Sequence, residues 1–226
     1  MSLVETDWLE ENISNVKIID CSWHMPQTKR DGFTEYKINH IPGAIFFDLD
    51  FNSKKDTELP HMLVEINDWK EIVSKMGIKN NDKIIIYDNS DVASACRCWF
   101  NFIYFGHDPK LVHVLNGGFK KWIVENRKVT NQLPTIQISN YNCLEKNELV
   151  KNKNLIDQNI EVQKFKIVDA RSKERFEGKV PEPRKGLRSG SIKNSFCIPF
   201  NKCLNENKTF KNKEDLKNIF KSCLGN

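Results

Sequence analysis

Thiol chemistry, proton transfer and carboxylate recognition are the reactions this sequence has side chains for. There are seven cysteines: Cys21, Cys96, Cys98, Cys143, Cys197, Cys203 and Cys223. An activated thiolate is a strong nucleophile, although a small buried side chain is the plainer reading of each. The odd count, with no secretion signal at the start of the sequence, reads as free thiols. Cys96-Arg97-Cys98 has no second Cys or His pair at zinc-ligand spacing, so no metal is expected, and no cofactor motif is present. His61, in Pro60-His61-Met62, could manage protons, although an isolated histidine is equally at home in a structural role. Arg175 and Arg184 lie in a basic stretch with Lys179, Lys185 and Arg188. Arginine offers planar paired donors to a carboxylate. Solvated surface charge is the plainer alternative.

These groups need a scaffold. Short apolar runs at Val16–Asp20, Ile45–Phe47, Lys83–Asp88 and Leu111–Leu115 read as strands, the last closed by Gly117-Gly118. Helical patterns at Asp68–Met76, Ala95–Phe105 and Phe119–Glu125 alternate with them. That rhythm predicts an α/β fold, a parallel sheet with helices on both faces. A polar stretch follows, rich in Asn, Lys and Gln, with one short helix expected near Glu145–Lys151.

A second unit then starts like the first. Phe165-Lys166-Ile167-Val168-Asp169-Ala170-Arg171 echoes Val16-Lys17-Ile18-Ile19-Asp20-Cys21-Ser22, and Ser191–Ile198 echoes His40–Phe47. An offset of about 150 residues indicates duplicated domains rather than a solenoid. The expected organisation is domain 1 over 1–130, a connecting segment over 131–163, and domain 2 over 164–226. Leu216, Ile219 and Phe220 share one face of a helix over Asn212–Cys223.

Lys plus Arg number 35 against 30 acids, a net charge of +5. That mild surplus suits a small anionic substrate better than a nucleic acid, which needs a clustered basic face. No apolar run approaches the roughly 20 residues that span a bilayer, so no membrane partner is expected. The acidic, amphipathic start, Leu3-Val4-Glu5-Thr6-Asp7-Trp8, gives a cytoplasmic expectation.

An ordered set of motifs resembles the two-domain rhodanese family, in its 3-mercaptopyruvate/thiosulfate sulfurtransferase branch. The set runs Asp20-Cys21-Ser22-Trp23-His24-Met25-Pro26, His40-Ile41-Pro42-Gly43-Ala44, Leu59-Pro60-His61-Met62-Leu63, Phe105-Gly106-His107 and Leu115-Asn116-Gly117-Gly118. In the second half it includes Asp169-Ala170-Arg171-Ser172, Arg175-Phe176-Glu177-Gly178 and Pro181-Glu182-Pro183-Arg184. The resemblance implies tandem rhodanese-like domains, the first without a nucleophile. The second would carry a cysteine in a loop of inward-pointing amides that stabilises a thiolate and then a persulfide. It implies sulfur transfer from a small anionic substrate, 3-mercaptopyruvate or thiosulfate, to cyanide or a thiol acceptor such as thioredoxin. It places Asp50 and His61 in a proton relay with a loop serine of domain 2, and Arg175 and Arg184 on the substrate carboxylate.

The sequence departs from that pattern in three places. Asp88 stands at the strand end where a working copy would place its cysteine. Ser191-Ile192-Lys193-Asn194 replaces the His-Ile-Pro-Gly turn in the second half. The counterpart of Lys83–Ala95 has no match there, so domain 2 is expected to be incomplete and the chain to lack its catalytic cysteine. Cys223 lies in a final helical turn, where helix polarity disfavours a thiolate. The expectation is therefore a sulfurtransferase by descent, inactive as it stands, with a rhodanese-like pseudoenzyme or binding module as the alternative. A phosphatase would need Cys-x5-Arg, and Tyr87–Ala95 holds no cysteine.

Overall fold

The computed structural model describes residues 2–183 and 186–225. The chain forms two compact units that divide between Leu149 and Val150.

Unit 1 is built on five strands: β1 (Leu3–Val4), β2 (Lys17–Asp20), β3 (Ala44–Phe46), β4 (Ile84–Tyr87) and β5 (Val112–Leu115). They run in the order β1-β5-β4-β2-β3, all parallel, with Ile18 opposite Ile85 and Ile86 opposite Val114. Five helices cover the sheet: α1 (Thr6–Asn12), α2 (Gly32–Ile38), α3 (Ile66–Lys75), α4 (Ser94–Tyr104) and α5 (Gly118–Val124). The four residues of β4 are fully buried, which is why its sequence is continuously apolar instead of alternating. Its side chains still alternate between faces. Ile84 and Ile86 join one core with Trp69, Phe102 and Phe105, whereas Ile85 and Tyr87 join another with Leu9, Tyr36 and Trp122. In the first core the Trp69 ring stacks on Phe105 at 4.9 Å and meets Phe102 edge-on at 5.2 Å.

The strands and helices expected for this half are present within a residue or two. Absent from the sequence reading are β1, whose two residues carry no periodicity, and α1 and α2. Gly32 opens α2 because a Cβ there would lie 2.1 Å from the Ser22 carbonyl oxygen.

Where the sequence reading has one connecting segment over 131–163, the contacts divide it. Residues 131–149 lie along unit 1: Leu144 N–H donates to Phe105 O at 3.1 Å, Lys146 N–H to Tyr104 O at 2.8 Å, and Tyr141 is fully buried. Residues 150–163 belong to unit 2 and form the helix α6 (Lys153–Val162). Near the expected Glu145–Lys151 helix stands one short 3-10 turn, Asn147–Leu149.

Unit 2 continues with β6 (Val168–Asp169), α7 (Lys173–Phe176), β7 (Phe196–Cys197) and α8 (Lys213–Leu224). The strands pair in parallel as a two-stranded sheet. Among the described residues of this unit, Ile198 and Pro199 are the buried apolar side chains, and Val168, Ile192, Phe200 and Phe220 remain well exposed. Its helices are instead fixed by side-chain caps. Asn152 accepts from Leu155 N–H at 3.0 Å and Asn212 from Asp215 N–H at 2.9 Å. Among the described residues no helix is long and apolar enough to cross a membrane.

Candidate active-site residues

Two loops of unit 1 bring Asp50 and His61 together. After β3 the chain turns at Asp48, whose carboxylate accepts from Phe51 N–H at 2.8 Å. A second loop is closed by Lys54 N–H donating to Met62 O at 2.9 Å, and it presents His61. His61 Nε2 lies 2.7 Å from Asp50 Oδ1. An ionised carboxylate only accepts, so Nε2–H is the donor, and in the neutral imidazole that leaves the lone pair on Nδ1. The other carboxylate oxygen, Oδ2, accepts from Trp23 Nε1–H at 2.8 Å, and the Trp23 ring meets the His61 ring edge-on at 4.8 Å. His61 has a left-handed backbone, φ 56°, unusual for a residue with a side chain, and its carbonyl is held by the Arg97 guanidinium. Sequence reasoning missed both Trp23 and Arg97. The available signal for Arg97 was a charge between two cysteines on a helix that is otherwise apolar.

The loop joining β4 to α4 folds around a carboxylate of its own. Asp88 Oδ1 accepts from Ser90 N–H at 2.9 Å and Oδ2 from Ala95 N–H at 2.7 Å. Its main-chain oxygen accepts from Phe119 N–H at 2.9 Å, and Gly118 is required there because a Cβ would come within 2.5 Å of that oxygen. Burial pushes the Asp88 carboxyl up to about 6 against the pull of the two amides. Two donors therefore orient this anion without repaying its desolvation.

Among the described residues no main-chain N–H donates to the sulfur of any of the seven cysteines. Burial pushes the thiols of Cys21, Cys197 and Cys203 up, that of Cys96 up to about 12 and that of Cys143 up to about 11. Cys98 is fully buried in the first core. Cys223 lies in the last turn of α8, where its Sγ–H donates to Cys197 O at 3.6 Å. Among the described residues no group of three or more His, Cys, Asp or Glu is placed to hold a metal.

In unit 2, Arg175 is engaged by Glu182: Nη2–H donates to Oε2 at 2.5 Å and Nε–H to Oε1 at 3.3 Å. Arg171 Nη1–H shares Oε1 at 2.7 Å and also grips Asp169 and the Gly190 carbonyl. The side chain of Glu182 is 4% exposed, and the Arg175 guanidinium holds its carboxyl below the usual range. These contacts use two of the five N–H groups of Arg175, leaving the Nη edge as the face that can meet a second carboxylate. Arg184 lies outside the described residues. The remaining histidines are built into the scaffold. His40 faces the Tyr36 carbonyl at 2.7 Å, His107 faces the Asp82 carbonyl at 3.0 Å, and His24 pairs with Glu35 at 3.1 Å.

Fold and loop together define a doubly wound α/β domain with an anion-holding loop at a strand end. The Rhodanese-like domain family matches residues 5–125, which lie within unit 1. Over 96% of its length the chain is 36% identical to thiosulfate/3-mercaptopyruvate sulfurtransferase 1, mitochondrial, of Arabidopsis thaliana, and covers 63% of that protein. It is 32% identical to the 3-mercaptopyruvate sulfurtransferase of Mus musculus, with 97% of this chain and 76% of the relative covered. The crystal structure of SseA from Escherichia coli, a 3-mercaptopyruvate sulfotransferase, superposes on all of this chain and 85% of its own, with a TM-score of 0.90 at 28% identity. The chain belongs to the rhodanese family, and its relatives include proteins named 3-mercaptopyruvate and thiosulfate sulfurtransferases. It spans 63% of the Arabidopsis relative and 76% of the mouse one.

Proposed function

We propose that this chain carries the substrate-handling and proton-handling groups of a 3-mercaptopyruvate/thiosulfate sulfurtransferase but supplies no sulfur-carrying thiol. The observation that supports this reading is the Asp50–His61 contact of 2.7 Å, together with the lack, among the described residues, of any main-chain N–H donating to a cysteine sulfur. In the proposed reaction a cysteine thiolate that this chain does not itself supply attacks the sulfur of 3-mercaptopyruvate. The S–S bond forms as the C–S bond breaks, and the bonding pair leaves on carbon as the enolate of pyruvate. The Nδ1 lone pair of His61 accepts the proton of the substrate thiol and returns it to that carbon, while Asp50 stabilises the imidazolium formed between the two transfers. Arg175 and Arg184 take the substrate carboxylate. The persulfide sulfur then passes to cyanide or to a thiol acceptor such as thioredoxin.

A second reading, a rhodanese-like module that binds anions without turnover, is favoured by Asp88 filling the strand-end loop of unit 1. A binding experiment tests the role common to both. Titrating the chain with 3-mercaptopyruvate or pyruvate by calorimetry should show saturable binding, weakened about tenfold by Arg175→Ala, the loss expected for charged hydrogen bonds. Absence of binding, or binding indifferent to Arg175→Ala and Arg184→Ala, would remove the substrate role. With a thiol acceptor alone both readings predict no pyruvate. A cysteine thiolate supplied in trans separates them: pyruvate release that falls with His61→Ala supports the helper groups of a sulfurtransferase, and binding without pyruvate supports the module.

A further inference from the structure

The Asp50 carboxylate projects from an exposed loop and is 69% exposed itself, so nothing in its own segment stops it rotating. What fixes it is Trp23. The indole Nε1–H donates to Oδ2 at 2.8 Å while His61 Nε2 takes Oδ1 at 2.7 Å, so both oxygens are committed. The edge-on ring contact at 4.8 Å with an interplanar angle of 89° holds the imidazole from a second side.

Trp23 is in turn fixed from its main chain. Its N–H donates to Ser90 Oγ at 2.9 Å and Ser94 Oγ at 3.2 Å, and Ser90 Oγ–H donates back to Trp23 O at 2.5 Å. Ser94 Oγ–H donates to Cys21 O at 2.5 Å, tying the preceding residues as well. Ser90 lies in the β4–α4 loop and Ser94 opens α4, a stretch that Asp88 holds through the Ser90 and Ala95 amides. A continuous line of hydrogen bonds thus runs from Asp88 through Ser90 and Ser94 to Trp23 and on to Asp50 and His61.

We propose that Trp23 is a positioning residue that fixes the Asp50 carboxylate and, through it, the Nε2–H tautomer of His61, with the Asp88–Ala95 loop serving as its support. In unit 1 that loop is a brace for the proton-handling pair instead of a seat for a nucleophile. The inference rests on the reading of Asp50 and His61 as proton-handling groups. It is tested without substrate, so failure of 3-mercaptopyruvate binding leaves the test intact.

The experiment is 15N NMR of the full chain labelled at histidine and at the tryptophan indole. In the parent protein the His61 signals should report one dominant tautomer, protonated at Nε2, with a slowly exchanging Nε2–H. Trp23→Phe keeps a ring against His61 but removes the indole donor. It should accelerate Nε2–H exchange about tenfold, the factor for losing about one hydrogen bond, and populate the Nδ1–H tautomer. His107, buried elsewhere in unit 1, serves as the internal reference and should not move. Ser90→Ala keeps the indole and removes its main-chain anchor, so it should shift His61 in the same direction by a smaller factor. If Trp23→Phe does not fold, that variant and the Trp23 Nε1–H exchange rate in Asp50→Asn, expected to rise about tenfold, decide the matter. Exchange and tautomer ratios within twofold of the parent protein, or equal changes at His61 and His107, would overturn the proposal.

Discussion

Replacing Asp88 by asparagine tests whether the carboxylate in the β4–α4 loop is held at a cost. Its folded value of about 6 lies above the ordinary 3.8. A carboxyl raised on folding binds more protons in the native state than in the unfolded one between those two values. Stability from this group is therefore full below the unfolded value and falls as pH rises toward 6. The limiting loss is the difference of 2.2 between those two values, at about 1.4 kcal/mol each, or about 3 kcal/mol. Between pH 4 and pH 7 about 2 kcal/mol of it should appear, because the unfolded carboxyl is already partly ionised at pH 4. Asparagine has no charge to bury, although it can accept only one of the two amides, which costs about 1–3 kcal/mol at every pH. The variant should accordingly be less stable than the parent at pH 4 and gain about 2 kcal/mol on it by pH 7. All five tryptophans, Trp8, Trp23, Trp69, Trp99 and Trp122, lie in unit 1, so their fluorescence in urea reads that unit alone. At a slope of about 2 kcal/mol per molar, the midpoint difference should move by about 1 M urea between the two pH values. A difference that stays constant with pH would show that Asp88 is not held above its ordinary range, and the account of a costly, oriented anion would fail.

Other outcomes follow from the same geometry. Phe102→Ala removes a fully buried ring packed against Trp69 and should cost unit 1 about 3–5 kcal/mol in urea unfolding followed by fluorescence. The Glu182 carboxyl is lowered by Arg175 and that of Asp169 by Arg171, so their contribution is present above the ordinary carboxylate values and lost as pH falls through the folded ones. Protection of the amides in 169–182, corrected for the intrinsic pH dependence of exchange, should fall once pH drops below the ordinary carboxylate range, and it should change much less with pH in Glu182→Gln. A Cys96 thiol at about 12 is ionised to about one part in ten thousand at pH 8, so iodoacetamide should label it more than a thousandfold more slowly than a free thiol.

How much of this was legible beforehand depends on the kind of signal each element carries. Ile84–Tyr87 announces itself because a strand covered on both faces must be apolar throughout. Leu3–Val4 and Val168–Asp169 have two residues each, too few to show any period, and are fixed by their neighbours in the sheet. The helix Lys153–Val162 hides in an Asn- and Lys-rich stretch, although its cap, Asn152 to Leu155 N–H, is a readable start signal. Asp50 and His61 came from an ordered set of motifs, and their 2.7 Å contact depends on two loops that no periodicity describes. Trp23 stands in one of those motifs, but nothing in the sequence gives it a partner. Its indole N–H finds Asp50 only once β3 and the following turn are in place. Asp88 was legible as a substitute for a thiol, but the two amides that receive it belong to residues whose backbone directions the sequence does not specify.

The central claim is that this chain holds helper groups for desulfuration and no thiol able to carry the sulfur. Intact-mass spectrometry after incubation with 3-mercaptopyruvate or thiosulfate, with pyruvate followed in parallel, addresses it most directly. The account predicts an unchanged mass and no pyruvate above background. The gain of one sulfur atom on a single cysteine, with stoichiometric pyruvate release and loss of both in one Cys→Ser variant, would contradict it.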